Sequence, residues 1–192
     1  NGRIQKFDPN GKFLIEFGNN GPAETLIKDP NGVTVDAEGN VYVVDVDTHK
    51  LFKFKADGVF EISFDGADTG FYGPRDLAIA PNKKIYIADQ GRQRMAVFDT
   101  TTKLYHRVWG TPGSEPGQFH GITGIAVGDD LVFVADHVRP ELLGLAWKTA
   151  MRVQRLDGMR DPVVIGGKHA TLARRHRLGA VKRECRKSAH RA

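Results

Sequence analysis

Cysteine is nearly absent from this 192-residue chain, Cys185 being the single example. One thiol excludes an internal disulfide and leaves the redox compartment open. Long apolar runs are also missing: no stretch reaches the roughly 18 residues of a membrane-crossing helix. The chain has no Gly-rich phosphate loop, no serine nucleophile elbow and no closely spaced Cys–His set, which removes the common nucleotide, hydrolase and zinc-finger readings. The segment from Gly110 to Gly117, with Pro112, Gly113 and Pro116, reads as loop.

What the chain does have is repetition. A short phrase returns as Arg3-Ile4-Gln5-Lys6-Phe7, Lys50-Leu51-Phe52-Lys53-Phe54, Arg94-Met95-Ala96-Val97-Phe98 and Arg152-Val153-Gln154-Arg155-Leu156. A second phrase precedes the last three copies: Val41 to Asp45, Ile85 to Asp89 and Val132 to Asp136. Its terminal Asp residues fall 44 and then 47 positions apart. A period near 40–50 residues built from short β runs is the signature of a propeller blade.

Within one unit, Gly32 to Asp36 alternates apolar and polar residues, Glu38-Gly39-Asn40 turns the chain, and Val41 to Val44 runs back. His49 to Phe54, the Ala56-Asp57-Gly58 turn and Val59 to Phe64 complete four antiparallel strands. The second unit repeats this order over Arg75–Ala80, Lys84–Asp89, Gln93–Phe98 and Lys103–Trp109. In the third, Gly121–Val127 and Leu131–Asp136 are followed late by the Arg152 phrase, so 137–150 holds an insertion or divergent loop. The expected fold is an all-β propeller of four-stranded antiparallel blades, about three and a half of them within 1–166. A lone blade cannot close a core, so stability must come from stacking blade on blade. Val35, Val43, Leu77, Ile79, Ile87, Ile125 and Val134 are the expected inter-blade core.

Rings close with about four to eight blades, and Asn1-Gly2-Arg3 starts inside a repeat without initiator Met or signal sequence. The expectation is a fragment of a longer protein, or half-propellers that self-associate. Charge is uneven: residues 167–192 hold nine Lys or Arg against the single acid Glu184, whereas the rest carries nineteen against twenty-two. The net charge of +5 therefore belongs to the tail. A basic tail of this kind can bind nucleic acid or an acidic membrane surface, but the favoured reading is a duller one. The tail's loss of strand alternation fits equally a disordered divergent extension or a frame-shifted segment.

The ordered pattern Asp29-Pro30-Asn31-Gly32-Val33-Thr34-Val35-Asp36, Gly39 to Asp45 and His49 to Phe54 resembles the NHL repeat, as does Gly117-Gln118-Phe119 before the third unit. The resemblance covers residues 1 to about 136, with a weak trace over 152–166. It implies a six-bladed ring of which this chain supplies about half. It also implies that the blade-to-blade loops and the loops joining second to third strands share one binding face. Here those loops contain Lys28, Asn31, Asp47, His49, Arg75, Asp76, Gln90, Arg92, His120 and His137. The family includes RNA- and protein-binding propellers, extracytoplasmic sensors and a few enzymes.

Asp45, Asp89 and Asp136 read as strand-end turn residues that hydrogen-bond nearby backbone; they lack the spacing of a calcium loop. His49, His120 and His137 invite a zinc site. The segment Asp45 to Lys53 resembles the part of the peptidyl-hydroxyglycine amidating lyases that contributes a zinc-binding His, and His49 matches it. The position of that family's next His is occupied by Thr123. Zinc or calcium is expected only under this lyase alternative, and no metal or other cofactor otherwise. A slightly acidic propeller body disfavours RNA, which remains the second alternative. The expectation is a soluble, non-catalytic binding scaffold for a protein, peptide or glycan, leaning to an extracytoplasmic or secreted setting.

Overall fold

The computed structural model describes residues 2–66, 69–128, 131–137, 149–155 and 163–165. Cys185, the basic tail and most of the 137–150 insertion lie outside the described residues. The chain opens with the antiparallel pair β1 (Ile4–Phe7) and β2 (Phe13–Phe17). A four-stranded sheet follows: β3 (Pro30–Val35), β4 (Val41–Asp45), β5 (Lys50–Phe54) and β6 (Phe60–Asp65). The next comprises β7 (Pro74–Ile79), β8 (Lys84–Asp89), β9 (Arg94–Asp99) and β10 (Leu104–Trp109). After the short pair β11 (Thr111–Pro112) and β12 (Gln118–Phe119), the last sheet holds β13 (Ile122–Gly128), β14 (Leu131–His137), β15 (Thr149–Arg155) and β16 (Val163–Ile165). Each four-stranded sheet pairs its strands antiparallel in chain order, which is the meander of a propeller blade. The half blade followed by three full ones agrees with the repeat reading.

The turns explain why these segments fold back. Asp36 Oδ1 accepts the Asn40 backbone N–H at 2.7 Å and its Oδ2 accepts the Asn40 amide at 2.9 Å, closing the β3–β4 hairpin. Gly58 sits at φ 87°, which a side chain would strain, and its N–H donates to the Lys55 carbonyl to close the β5–β6 turn.

Burial follows strand parity. In β4, Tyr42 and Val44 face the second full blade, packing with Leu77, Ile85 and Ile87, while Val41 and Val43 face the opening half blade and meet Phe17 and Ile27. In β8, Ile85 and Ile87 face back, and Tyr86 and Ala88 face forward onto Phe119, Ile122, Val132 and Val134. Adjacent residues on a strand point to opposite faces, and both faces of these strands are covered. That is why the second-strand phrase is a continuous apolar run rather than an alternating one.

The innermost strands β3, β7 and β13 lie side by side. A Cβ on Gly32 would fall 2.8 Å from the Asp76 Cα, so β3 and β7 approach more closely than any side chain at that position allows. Val43, Leu77, Ile87 and Val134 are buried as expected, and Ile79 and Ile125 are half-buried. Val35 departs from expectation: it is 52% exposed, and Val33 is 53% exposed. Both stand on the side of β3 against which no innermost strand packs among the described residues, whereas their counterparts Leu77 and Ile79 meet the blade before them. The 110–117 loop also differs, since Thr111 and Pro112 pair in parallel with Gln118 and Phe119. Burial of Phe119 and the bond from Gly113 N to its carbonyl at 3.0 Å hold that pairing.

Candidate binding face

Three buried carboxylates organise the loops at one end of the blades. Asp45, Asp89 and Asp136 end the second strands and are at most 4% exposed. Asp45 Oδ2 accepts the backbone N–H groups of Lys28 and Asp29 at 2.6 and 2.9 Å, while its Oδ1 accepts the N–H and hydroxyl of Thr48 at 2.7 and 2.9 Å. Asp89 Oδ1 accepts from Tyr72 N at 2.8 Å, and Oδ2 pairs with Arg94 Nε at 2.9 Å. Asp136 Oδ1 accepts from His120 N and Gly121 N at 3.0 and 2.7 Å. Each carboxylate thus fastens the loop that enters its own blade. The bond pattern places those loops and the second-to-third strand turns on one face, as the resemblance implied. Burial pushes the Asp89 carboxyl above its ordinary range, outweighing the Tyr72 N–H and the Arg94 guanidinium, which pull it down.

A second recurring contact links neighbouring blades. Gly73 N donates to His49 Nδ1 at 3.2 Å, and one blade further on Gln93 Nε2 donates to the His120 carbonyl at 3.0 Å. His49 and Gln93 occupy the same place in their turns and share left-handed backbone, φ 58° and 52°. His49 therefore serves as a clasp between blades, and its counterpart Gln93, which composition does not single out, does likewise. His137 Nδ1 stands 2.7 Å from the Gly121 carbonyl. His49 lies in the first full blade and His120 and His137 in the third, and among the described residues no three His, Cys, Asp or Glu side chains gather to hold a metal.

The remaining candidates divide into engaged and free groups. Arg92 donates to the carbonyls of Gly70 and Thr69 at 2.9 and 2.7 Å, so its guanidinium holds the loop into its blade. Lys28 and Asp47 form an exposed ion pair at 3.7 Å, a contact worth at most about 1 kcal/mol. Asp76 is bonded to backbone on two strands, Leu77 N and Ile125 N. Gln90 is half-buried beside Arg92 in a single 3-10 turn. Arg75 is exposed and makes no hydrogen bond or ion pair among the described residues.

Arg75 owes its position to a β-bulge. The register of each innermost strand against the second strand slips once: between Pro30 and Gly32, Pro74 and Asp76, and Ile122 and Gly124. The residue left over is Asn31, Arg75 or Thr123, and all three are exposed. Bulges re-aim side chains and recur beside functional sites. Sequence reasoning also passed over Tyr72, which is 60% exposed with its ring 5.4 Å from that of His49. An aromatic placed after the buried Phe71 and before Gly73-Pro74 was the available signal.

Stacked four-stranded blades with their loops gathered on one face define a β-propeller. The fold resembles the hydrazine synthase of Kuenenia stuttgartiensis (TM-score 0.64, 12% identity, covering 86% of this chain and 44% of that one) and a streptogramin B lyase (TM-score 0.60, 14% identity, 88% and 49%). It resembles equally the WD40 repeats of RRP9 (TM-score 0.63, 12% identity, 86% and 45%). A family model of the NHL repeat matches residues 28–54, from the loop entering β3 to the end of β5. A probable peptidyl-α-hydroxyglycine α-amidating lyase of Caenorhabditis elegans is 29% identical over 136 residues, 65% of this chain. The chain spans 37% of the length of that relative.

Proposed function

We propose that this chain is part of a non-catalytic NHL propeller that binds a protein, peptide or glycan on the face built by its blade loops. The observation that carries this reading is the pairing of a firmly anchored loop with outward chemistry: Tyr72, its N–H held by Asp89, exposes its ring beside His49, and Arg75, close by in sequence, presents a guanidinium unpaired among the described residues. Rigid aromatic and Arg side chains on a fixed frame are the usual anchors of a binding surface. The test is selection from a random-peptide phage library and a glycan array, followed by affinity measurement on Tyr72→Ala. A loss of about tenfold or more supports the reading; binders indifferent to the change, or no binders, overturn it.

A second reading rests on the similarity to the lyase. Zinc or calcium would be its metal, and the described residues do not fit one: His49 Nδ1 already accepts the Gly73 N–H, Thr123 stands where the family's next His is expected, and no three-ligand set forms. A metal centre in this protein would draw ligands from outside the described residues. Conversion of a peptidyl-α-hydroxyglycine to its amide, lost in His49→Ala, would favour this reading over the first.

A further inference from the structure

The three bulged residues occupy equivalent places on adjacent innermost strands. The residues that follow them, Gly32, Asp76 and Gly124, lie against one another: a Cβ on Gly32 would fall 2.8 Å from the Asp76 Cα, and one on Gly124 would fall 3.7 Å from Asp76 Oδ2. Asn31, Arg75 and Thr123 therefore stand in a row, one blade apart, at the loop end of the innermost strands. Arg75, at the centre, is exposed without a partner among the described residues. The one carboxylate next to it in sequence, Asp76, is turned to backbone N–H groups at 2.8 and 2.9 Å. Among the described residues the Asn31 and Thr123 side chains make only long bonds to backbone carbonyls, 3.4 and 3.3 Å, and their donors can be exchanged for a better acceptor.

We propose that Asn31, Arg75 and Thr123 form a carboxylate-binding subsite, and that its ligand is the acidic side chain or C-terminus of an extended peptide. A planar guanidinium takes a carboxylate through two parallel hydrogen bonds, with an amide and a hydroxyl on either side as neutral donors. The arrangement suits one carboxylate better than a nucleic acid. A phosphate backbone is tracked by several cations, yet Arg92 is bonded to loop carbonyls, Arg94 to Asp89 and Lys28 to Asp47. The proposal rests on the binding-scaffold reading and adds to it the chemistry of the ligand.

The experiment sequences the phage-selected peptides and measures the best of them, with each acid replaced in turn by its amide, against wild-type protein and Arg75→Gln. Selected peptides should share an acid, and replacing either that acid or Arg75 should weaken binding about tenfold, with little further loss when both are changed. Asn31→Ala and Thr123→Val should each weaken the same peptide by a smaller factor. Binding peptides that share no acid, or losses that simply multiply, overturn the subsite while leaving the scaffold reading intact. Selection of no peptide, with tight and strongly salt-dependent binding of a 12-residue oligouridine, overturns both.

Discussion

Asp76 on one innermost strand accepts the backbone N–H of Ile125 on the next, at 2.8 Å from its Oδ2. The same carboxylate accepts Leu77 N through Oδ1 at 2.9 Å, so one side chain ties two blades together, and Gly32, where a Cβ would fall 2.8 Å from the Asp76 Cα, leaves room for that residue. Removing it strands the Ile125 N–H between strands. Asp76→Ala should lower stability by about 1–3 kcal/mol, read as a lower urea midpoint at unchanged slope. Asp76→Asn, which keeps an acceptor oxygen, should lose less.

Blade stacking makes equivalent residues unequal. Leu77 is 3% exposed in the cluster between the first and second full blades, while Val33, in the same place one blade earlier, is 53% exposed. Leu77→Ala should cost about 2–4 kcal/mol and Val33→Ala about 0.5 kcal/mol or less. Equal costs in denaturant titrations would contradict this packing.

Tyr105 buries its hydroxyl without a hydrogen-bond partner among the described residues, its ring against Phe71 and Phe98. Burial, with smaller contributions from Asp65 and Asp89, pushes its phenol far above the ordinary range. Deleting an unsatisfied buried polar atom removes a desolvation penalty, so Tyr105→Phe should raise stability by about 1 kcal/mol. A destabilised variant in thermal melts would reveal a partner for that oxygen.

Asp89 gives stability an unusual pH slope. Its carboxyl is raised in the folded chain, chiefly by burial, so the folded state holds this proton at a pH where the unfolded state has released it. The stability contributed by this group is greatest in acid and falls as pH rises through the window between its unfolded and folded pKa. The unfolding free energy of the wild type relative to Asp89→Asn should therefore shrink as pH rises above the ordinary carboxylate range. A difference that grows instead would mean that Arg94 and Tyr72 win over burial.

The blades were legible because their signals are local and repeated. Val41 to Asp45 and Lys50 to Phe54 return with the same spacing as Ile85 to Asp89 and Arg94 to Phe98, and turn chemistry at Gly39 and Gly58 bounds the first pair. The strand-end aspartates were legible as backbone acceptors, though not the distance they reach: Asp45 to Lys28 spans 17 positions. The exposure of Val35 was not legible, since a strand's pattern does not say which neighbour is present. Nor were the bulges, which arise from pairing and leave no mark on composition. Arg92 and Arg75 look alike in sequence, and only the loop carbonyls of Thr69 and Gly70 separate the engaged guanidinium from the free one.

The buried aspartates hold each entering loop by its backbone: Asp45 takes the N–H groups of Lys28 and Asp29, Asp89 that of Tyr72, and Asp136 those of His120 and Gly121. Every residue except proline carries that N–H. The outward positions of these loops can therefore change identity while their fastening stays the same. In evolutionary terms the surface is a rewritable page on a fixed binding: new specificities can arise there by substitution, without reopening the question of how the chain folds.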